Sequence, residues 1–176
     1  VAGLRTDDLA NQFNAGNGDQ STIEHRGFVL PHTFQYSRES PDLSADGKTL
    51  VVGTDSAHGP YTNVGKVDVF EWNMDQWELK GSSITPPNPS IHDNFGRSVS
   101  ISQDGETVAV GAIFDEPGSN YPNDATGSVF VFDWNGENWQ QRGAPVHGGT
   151  LDFMGASVIL TNDGNTFFTG LAGDVP

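Results

Sequence analysis

The sequence predicts an all-β protein assembled from a repeated unit of four antiparallel strands. Three observations carry the prediction. First, NFGRSVSISQDGETVAVGAIF, beginning at Asn94, reads as strand, tight turn and strand. Second, poorer copies of this hairpin occur as DLSADGKTLVVG from Asp42 and FMGASVILTNDGNTFFTGLAG from Phe153. Third, the segments that follow the first two copies, GKVDVFEWNMDQWELKG and GSVFVFDWNGENWQQRG, align without a gap. That alignment pairs Gly65 with Gly127, Trp72 with Trp134, Trp77 with Trp139 and Gly81 with Gly143.

The strand assignments rest on period and turn chemistry. Val99 and Ile101 alternate with serines before the turn, and Val108 and Val110 alternate with Thr107 and Ala109 after it. This is the period of a half-buried strand. It makes Phe95, Val99, Ile101, Val108, Val110, Val129, Val131 and Trp139 the expected core, and Ser98, Ser100 and Ser102 the solvent-facing alternates. Asp46-Gly47, Asp104-Gly105 and Asp163-Gly164 fall in register, and Asp-Gly between alternating runs predicts a primed hairpin turn with positive φ. Asn135-Gly136 marks a second hairpin, with Asn73-Met74 in the equivalent place.

Four strands recurring over about sixty residues are the pattern of a β-propeller blade. Near the start, Arg26-Gly27 in STIEHRG stand where Arg142-Gly143 stand, after an Asn17-Gly18 turn. The sequence therefore divides into the second half of a blade (1–31), two blades (32–90 and 91–150) and the first half of another (151–176). Three blade equivalents fall short of the roughly four to eight of a closed ring. The expectation is a segment of a larger propeller, or one completed by another copy. Free strand edges near Ser21 to Gly27 and Asn165 to Gly170 would then be the contact points, because an unpaired edge is a template for pairing.

Composition narrows the function. Twenty-three acidic against 8 basic residues give a net charge of −15, which argues against nucleic acid as a partner, since phosphate backbones are read by basic stripes. No apolar run is long enough for a transmembrane helix. There is no cysteine, so disulfides and thiolate metal sites are excluded. The chain opens on Val1 rather than methionine, which leaves secretion open.

With Phe95-Gly96 and Gly111-Ala112 flanking one hairpin, the chain resembles the FG-GAP repeats of integrin-α-like β-propellers. The match is clearest from Phe95 to Gly143. The first copy has Ser37-Arg38 where Phe-Gly belongs, and the third has Met154-Gly155. The resemblance implies a non-catalytic recognition or structural module of the adhesion type, working outside the cell or in a lumen. Its partner would be a protein or a missing part of the same chain. In that family calcium sits in an aspartate-rich loop between the first two strands, and SQDGET is too short to supply it.

Other residues define the alternatives. Asp115, Glu116, Asn120, Asn123 and Asp124 bring five oxygen-bearing side chains together in one loop, a density that suits calcium, although a solvated loop making its own turns is the simpler reading. Trp72, Trp77, Trp134 and Trp139 could stack on sugars in a carbohydrate-binding propeller, but recurrence in both copies favours packing as cross-strand aromatic partners. A propeller enzyme is a further alternative. His25, His32, His58, His92 and His147 share no metal-like spacing, and no serine nucleophile elbow accompanies His92-Asp93.

Overall fold

The computed structural model describes residues 39–59, 62–116 and 125–173, all within the unit Phe34–Pro176. The early half-blade, Ser37-Arg38 and the strand edge near Ser21 to Gly27 lie outside these residues. Every regular element among them is a strand. The first sheet takes the order β1 (Glu39–Leu43), β2 (Thr49–Thr54), β3 (Lys66–Trp72) and β4 (Trp77–Leu79), antiparallel throughout. The second runs β5 (Phe95–Ile101), β6 (Thr107–Ala112), β7 (Ser128–Trp134) and β8 (Trp139–Gln141), with β9 (Val146–His147) pairing β7 beyond the end of β8. β10 (Ser157–Leu160) and β11 (Phe167–Gly170) form an antiparallel pair. These are β-propeller blades.

The Asp-Gly turns differ from the primed geometry that the dipeptide predicts. Gly47, Gly105 and Gly164 have positive φ, but their aspartates do not. Asp104 works through its carboxylate instead: Oδ1 accepts from the Ser102 hydroxyl at 2.5 Å and the Glu106 amide at 3.1 Å, while Ser102 Oγ accepts from the Thr107 amide at 2.9 Å. Ser44-Asp46 and Thr161-Asp163 repeat the arrangement. The Gly105 amide donates to the Ser102 carbonyl, so each loop is a four-residue hairpin built on a conventional turn and closed by side chains.

The core lies between sheets. One cluster joins Val51, Val67, Val69 and Ile84 of the first sheet to Phe95, Val99, Ile101, Val108 and Val110 of the second. Phe95 is fully buried and meets Phe130 and Phe132 edge-on at ring distances of 5.4 and 6.0 Å. A second cluster joins Ala109 and Val129 to Val158 and Leu160. Both faces of the middle sheet are therefore covered.

That double cover corrects the serine expectation. Ser98, Ser100 and Ser102 are buried. Ser98 Oγ donates to the Gly155 carbonyl at 2.9 Å; Ser100 Oγ donates to Asp42 at 3.0 Å and accepts from the Leu160 amide at 3.1 Å. The alternation seen in the sequence separates two packed interfaces, and small hydroxyls satisfy the strand edges where the inner strands meet. Asp42 also takes the Ile101 amide at 2.9 Å. Phe95, Val99, Ile101, Val108, Val110 and Val129 are buried as expected, whereas Val131 and Trp139 are half-buried: Trp139, on the edge strand β8, packs at the margin of the first cluster, and Val131, on β7, at the margin of the second.

The two dipeptides of the hairpin acquire a shared reason. A β-carbon on Gly53 would collide with the Gly96 carbonyl, and one on Gly111 with the Gly155 carbonyl. Gly53 and Gly111 thus receive the carbonyl of the Phe-Gly or Met-Gly glycine of the next hairpin, which accounts for the glycine at Gly155 where the third copy has methionine in place of phenylalanine.

Candidate functional site

The loops at one end of the sheets converge beside the second blade. Asn63 precedes β3, residues 90–94 precede β5, Phe114 and Glu116 follow β6, and Leu151 and Phe153 precede β10. Backbone bonds knit them: the His92 amide donates to Thr62, Asn94 to Asn63, Phe114 to Asp93 and Phe153 to Ala125. Between them lies a cavity of about 690 Å³ with Ile91, His92, Phe114, Glu116, Leu151 and Phe153 among its walls. Phe114 and Phe153 pack edge-on at 5.8 Å. Ile91 and Leu151 nevertheless remain 58% and 51% exposed, an apolar rim open to solvent.

Positive φ recurs in equivalent pairs around this cavity: Asn63 (52°) with Ala125 (37°), His92 (67°) with Leu151 (63°), and Asn94 with Phe153 (both 53°). Such conformations are costly for residues with a β-carbon. His92 with Asn94 and Leu151 with Phe153 lie in the two crossings between blades, and Asn63 and Ala125 lie in the within-blade loops whose carbonyls accept from the Asn94 and Phe153 amides, so the strained positions belong to the way the chain passes from one blade to the next. The apolar rim is a consequence of that crossing.

Beneath the rim lies a group of carboxylates. Asp93 is 1% exposed and its Oδ2 accepts from the Ser90 amide at 2.5 Å; Asp152 repeats this with the Gly149 amide. Burial is the main force raising the Asp93 pKa, to about 6; the Ser90 amide opposes it, and the nearby Asp115 and Glu116 charges add to it. Asp115 is also buried and its pKa is raised, again chiefly by burial, with the Ser128 hydroxyl bond and His147 opposing. Ser128 Oγ donates to Asp115 Oδ2 and lies 2.7 Å from His147 Nδ1, and that nitrogen is 3.9 Å from the carboxylate. The hydroxyl stands between carboxylate and imidazole, whereas activation of a serine nucleophile requires the imidazole in the middle.

Ser128 and His147 were not apparent as site residues from the sequence. Their signal is a departure from the repeat: the first blade has Lys66 and Thr85 at these places, and Ala57 where the second has Asp115. Of the five oxygen-bearing residues proposed for calcium, Asp115 is committed to Ser128, and Glu116 accepts from the Ala125 amide at 3.0 Å. Asn120, Asn123 and Asp124 lie outside the described residues. Among those described, no group of three or more His, Cys, Asp or Glu is arranged to hold a metal ion.

The tryptophans are directly opposed cross-strand pairs on the outer hairpins. Trp72 faces Trp77 edge-on at 5.3 Å, and Trp134 faces Trp139 at 5.4 Å. Trp139 Nε1 donates to the Lys80 carbonyl across the blade boundary at 2.9 Å, and Lys80 Nζ lies 5.3 and 5.7 Å from the Trp134 and Trp139 ring centroids. Lys80 also reaches the Gly105 carbonyl at 3.2 Å and Glu106 at 2.8 Å. Arg142 repeats the cation's reach one blade on, to the Gly164 carbonyl at 2.7 Å.

Blades, repeated crossings and cationic links between them define a propeller-type repeat protein. Residues 80–132 match the family model of the FG-GAP repeat, a stretch that runs from the Lys80 link to Phe132 on β7. No curated protein matches the chain. Among the described residues no helix is long and apolar enough to cross a membrane.

Proposed function

We propose that the chain is a non-catalytic recognition module of the adhesion type, working outside the cell or in a lumen, whose loop end docks a protein segment. An FG-GAP repeat suggests a propeller-type interaction module, and the loop end supplies a surface for one. The observation that carries the reading is the cavity rimmed by exposed Ile91 and Leu151 with the Glu116 carboxylate in its wall. An apolar pocket bordered by negative charge fits a peptide that presents an apolar side chain beside a lysine or arginine. The net charge of −15 favours the same partner.

Selection from a phage-displayed random peptide library tests this. The folded chain should enrich basic-apolar sequences, and Ile91→Ser with Leu151→Ser should abolish the enrichment. Selection that these substitutions leave unchanged would place recognition elsewhere.

A further inference from the structure

Asp93 has a repeated role in an unrepeated setting. Its carboxylate accepts from the Ser90 amide and closes the turn that carries Ile91 and His92; Asp152 closes the turn of Thr150 and Leu151 in the same way, through the Gly149 amide. Asp152 is only half-buried, so closing such a turn does not require burial. Asp93 is nevertheless 1% exposed. Ser90, Ile91, His92 and Asn94 line the cavity, while Asp93, between them, is turned beneath its wall. The loop after β6 brings Asp115 and Glu116, whose charges bear on Asp93. From β9 comes His147, 3.9 Å from the Asp115 carboxylate with the Ser128 hydroxyl between them. Arg97, the nearest cation along the chain, is turned to Asp55 at 3.5 Å. The first blade has Ala57, Lys66 and Thr85 where the second has Asp115, Ser128 and His147, so a blade of this type is built without such a cluster.

We propose, on the reading of the loop end as a docking site for a basic and apolar segment, that this pocket is proton-gated: it holds the segment while Asp93 is charged and releases it when Asp93 takes a proton. A buried carboxylate acts through a wall of low dielectric, where water and salt screen little, so its charge is felt in the adjacent cavity. Acid removes that negative charge, and a proton on His147 behind it adds a positive one, so both changes weaken the hold on a cation. A bound cation in turn favours the charged carboxylate and makes the proton harder to add, because the coupling is reciprocal. Burial, against the opposing Ser90 amide, raises the Asp93 pKa to about 6, which places the release between neutral and mildly acid solution.

A rhodamine-labelled, amidated peptide of alternating leucine and arginine keeps its charge across this range and serves as the probe. Its fluorescence anisotropy with the folded chain should report an affinity about tenfold weaker at pH 5 than at pH 7.5. Asp93→Asn, which keeps an acceptor for the Ser90 amide, should bind at the higher pH about as weakly as the parent does at the lower, and lose most of the dependence. In the parent, saturating peptide should move the titration of the Asp93 carboxyl carbon, followed by NMR, to lower pH. Equal affinity at the two pH values, full dependence in Asp93→Asn, or a titration that the peptide does not move overturns the gate and leaves the docking surface standing. Binding at pH 7.5 that is absent, or that Ile91→Ser with Leu151→Ser does not weaken, overturns the docking reading itself and the gate with it.

Discussion

The Gly155 carbonyl rests against the bare α-carbon of Gly111, at a separation that leaves no room for a β-carbon between the second blade and the hairpin that follows it. Gly96 and Gly53 stand in the same relation one blade earlier. Two sheets can approach this closely only where one strand offers no side chain, so the glycine is a packing requirement.

Gly111→Ala should therefore cost about 2–3 kcal/mol, the usual penalty when a packed interface must move apart. Gly136 has positive φ but nothing within 4 Å of an added β-carbon, so Gly136→Ala should cost only the strain of about 1–2 kcal/mol. Urea unfolding of both variants separates the two causes. Equal losses would contradict a role for the Gly155 contact.

Met74 offers the converse. It occupies the turn position of Gly136, has a φ of 80° and is almost wholly exposed. Met74→Gly relieves conformational strain but adds freedom to the unfolded chain, for a net gain of about 0.5–1 kcal/mol. A small rise in the thermal midpoint is the expected reading, and a fall would show that Met74 makes contacts worth more than its strain.

Lys80 links the blades through its ammonium, bonded to the Gly105 carbonyl and Glu106 beside the Trp134 and Trp139 rings. Its side chain is nearly buried, so Lys80→Ala should cost about 2 kcal/mol. Tryptophan emission should shift to the red as the rings gain water. Lys48→Ala, on an exposed turn, should do neither.

Asp93 gives stability a pH dependence of defined sign. Its folded pKa of about 6 lies above the usual carboxylate range, so the folded protein holds the proton more tightly than the unfolded chain. The charged carboxylate costs stability above pH 6, and that cost disappears as the pH falls from about 6 to 4. Asp93→Asn keeps an acceptor for the Ser90 amide without the charge. It should be more stable than the parent at pH 7.5 by about 3 kcal/mol at most, with the difference closing near pH 4. A constant difference across that range would rule out titration of Asp93 as the cause. Asp133 has the opposite sign: the Arg142 bond holds its pKa below the usual value, so its contribution is present above that range and fades as acid protonates it.

The candidate site was partly legible. Asp115 and Glu116 stand out in the sequence by ligand type, but their commitment to Ser128 and the Ala125 amide depends on residues brought in from β7 and the end of the loop before it. Ile91, Phe114 and Leu151 give no sign in the sequence that they share one cavity, because they come from three separate connections. The tryptophans were legible as a structural motif: recurrence at equivalent hairpin positions pointed to cross-strand pairing, and Trp72–Trp77 and Trp134–Trp139 are register partners. Nothing local foretold that Lys80 would cap the second pair.

Strand positions, the Asp-Gly hairpins and the repeat follow from local order in the chain. A two-residue period selects extended backbone, and a glycine after a turn-forming side chain reverses it, whatever lies around them. The same period says nothing about what covers each face. Ser98, Ser100 and Ser102 look like a solvent-facing row beside Val99 and Ile101, yet stacking turns that row toward its neighbours and leaves Ile159 and Phe168 bare. Which face becomes core is decided by the arrival of another sheet, because burial belongs to the contact between two surfaces and no single strand encodes both.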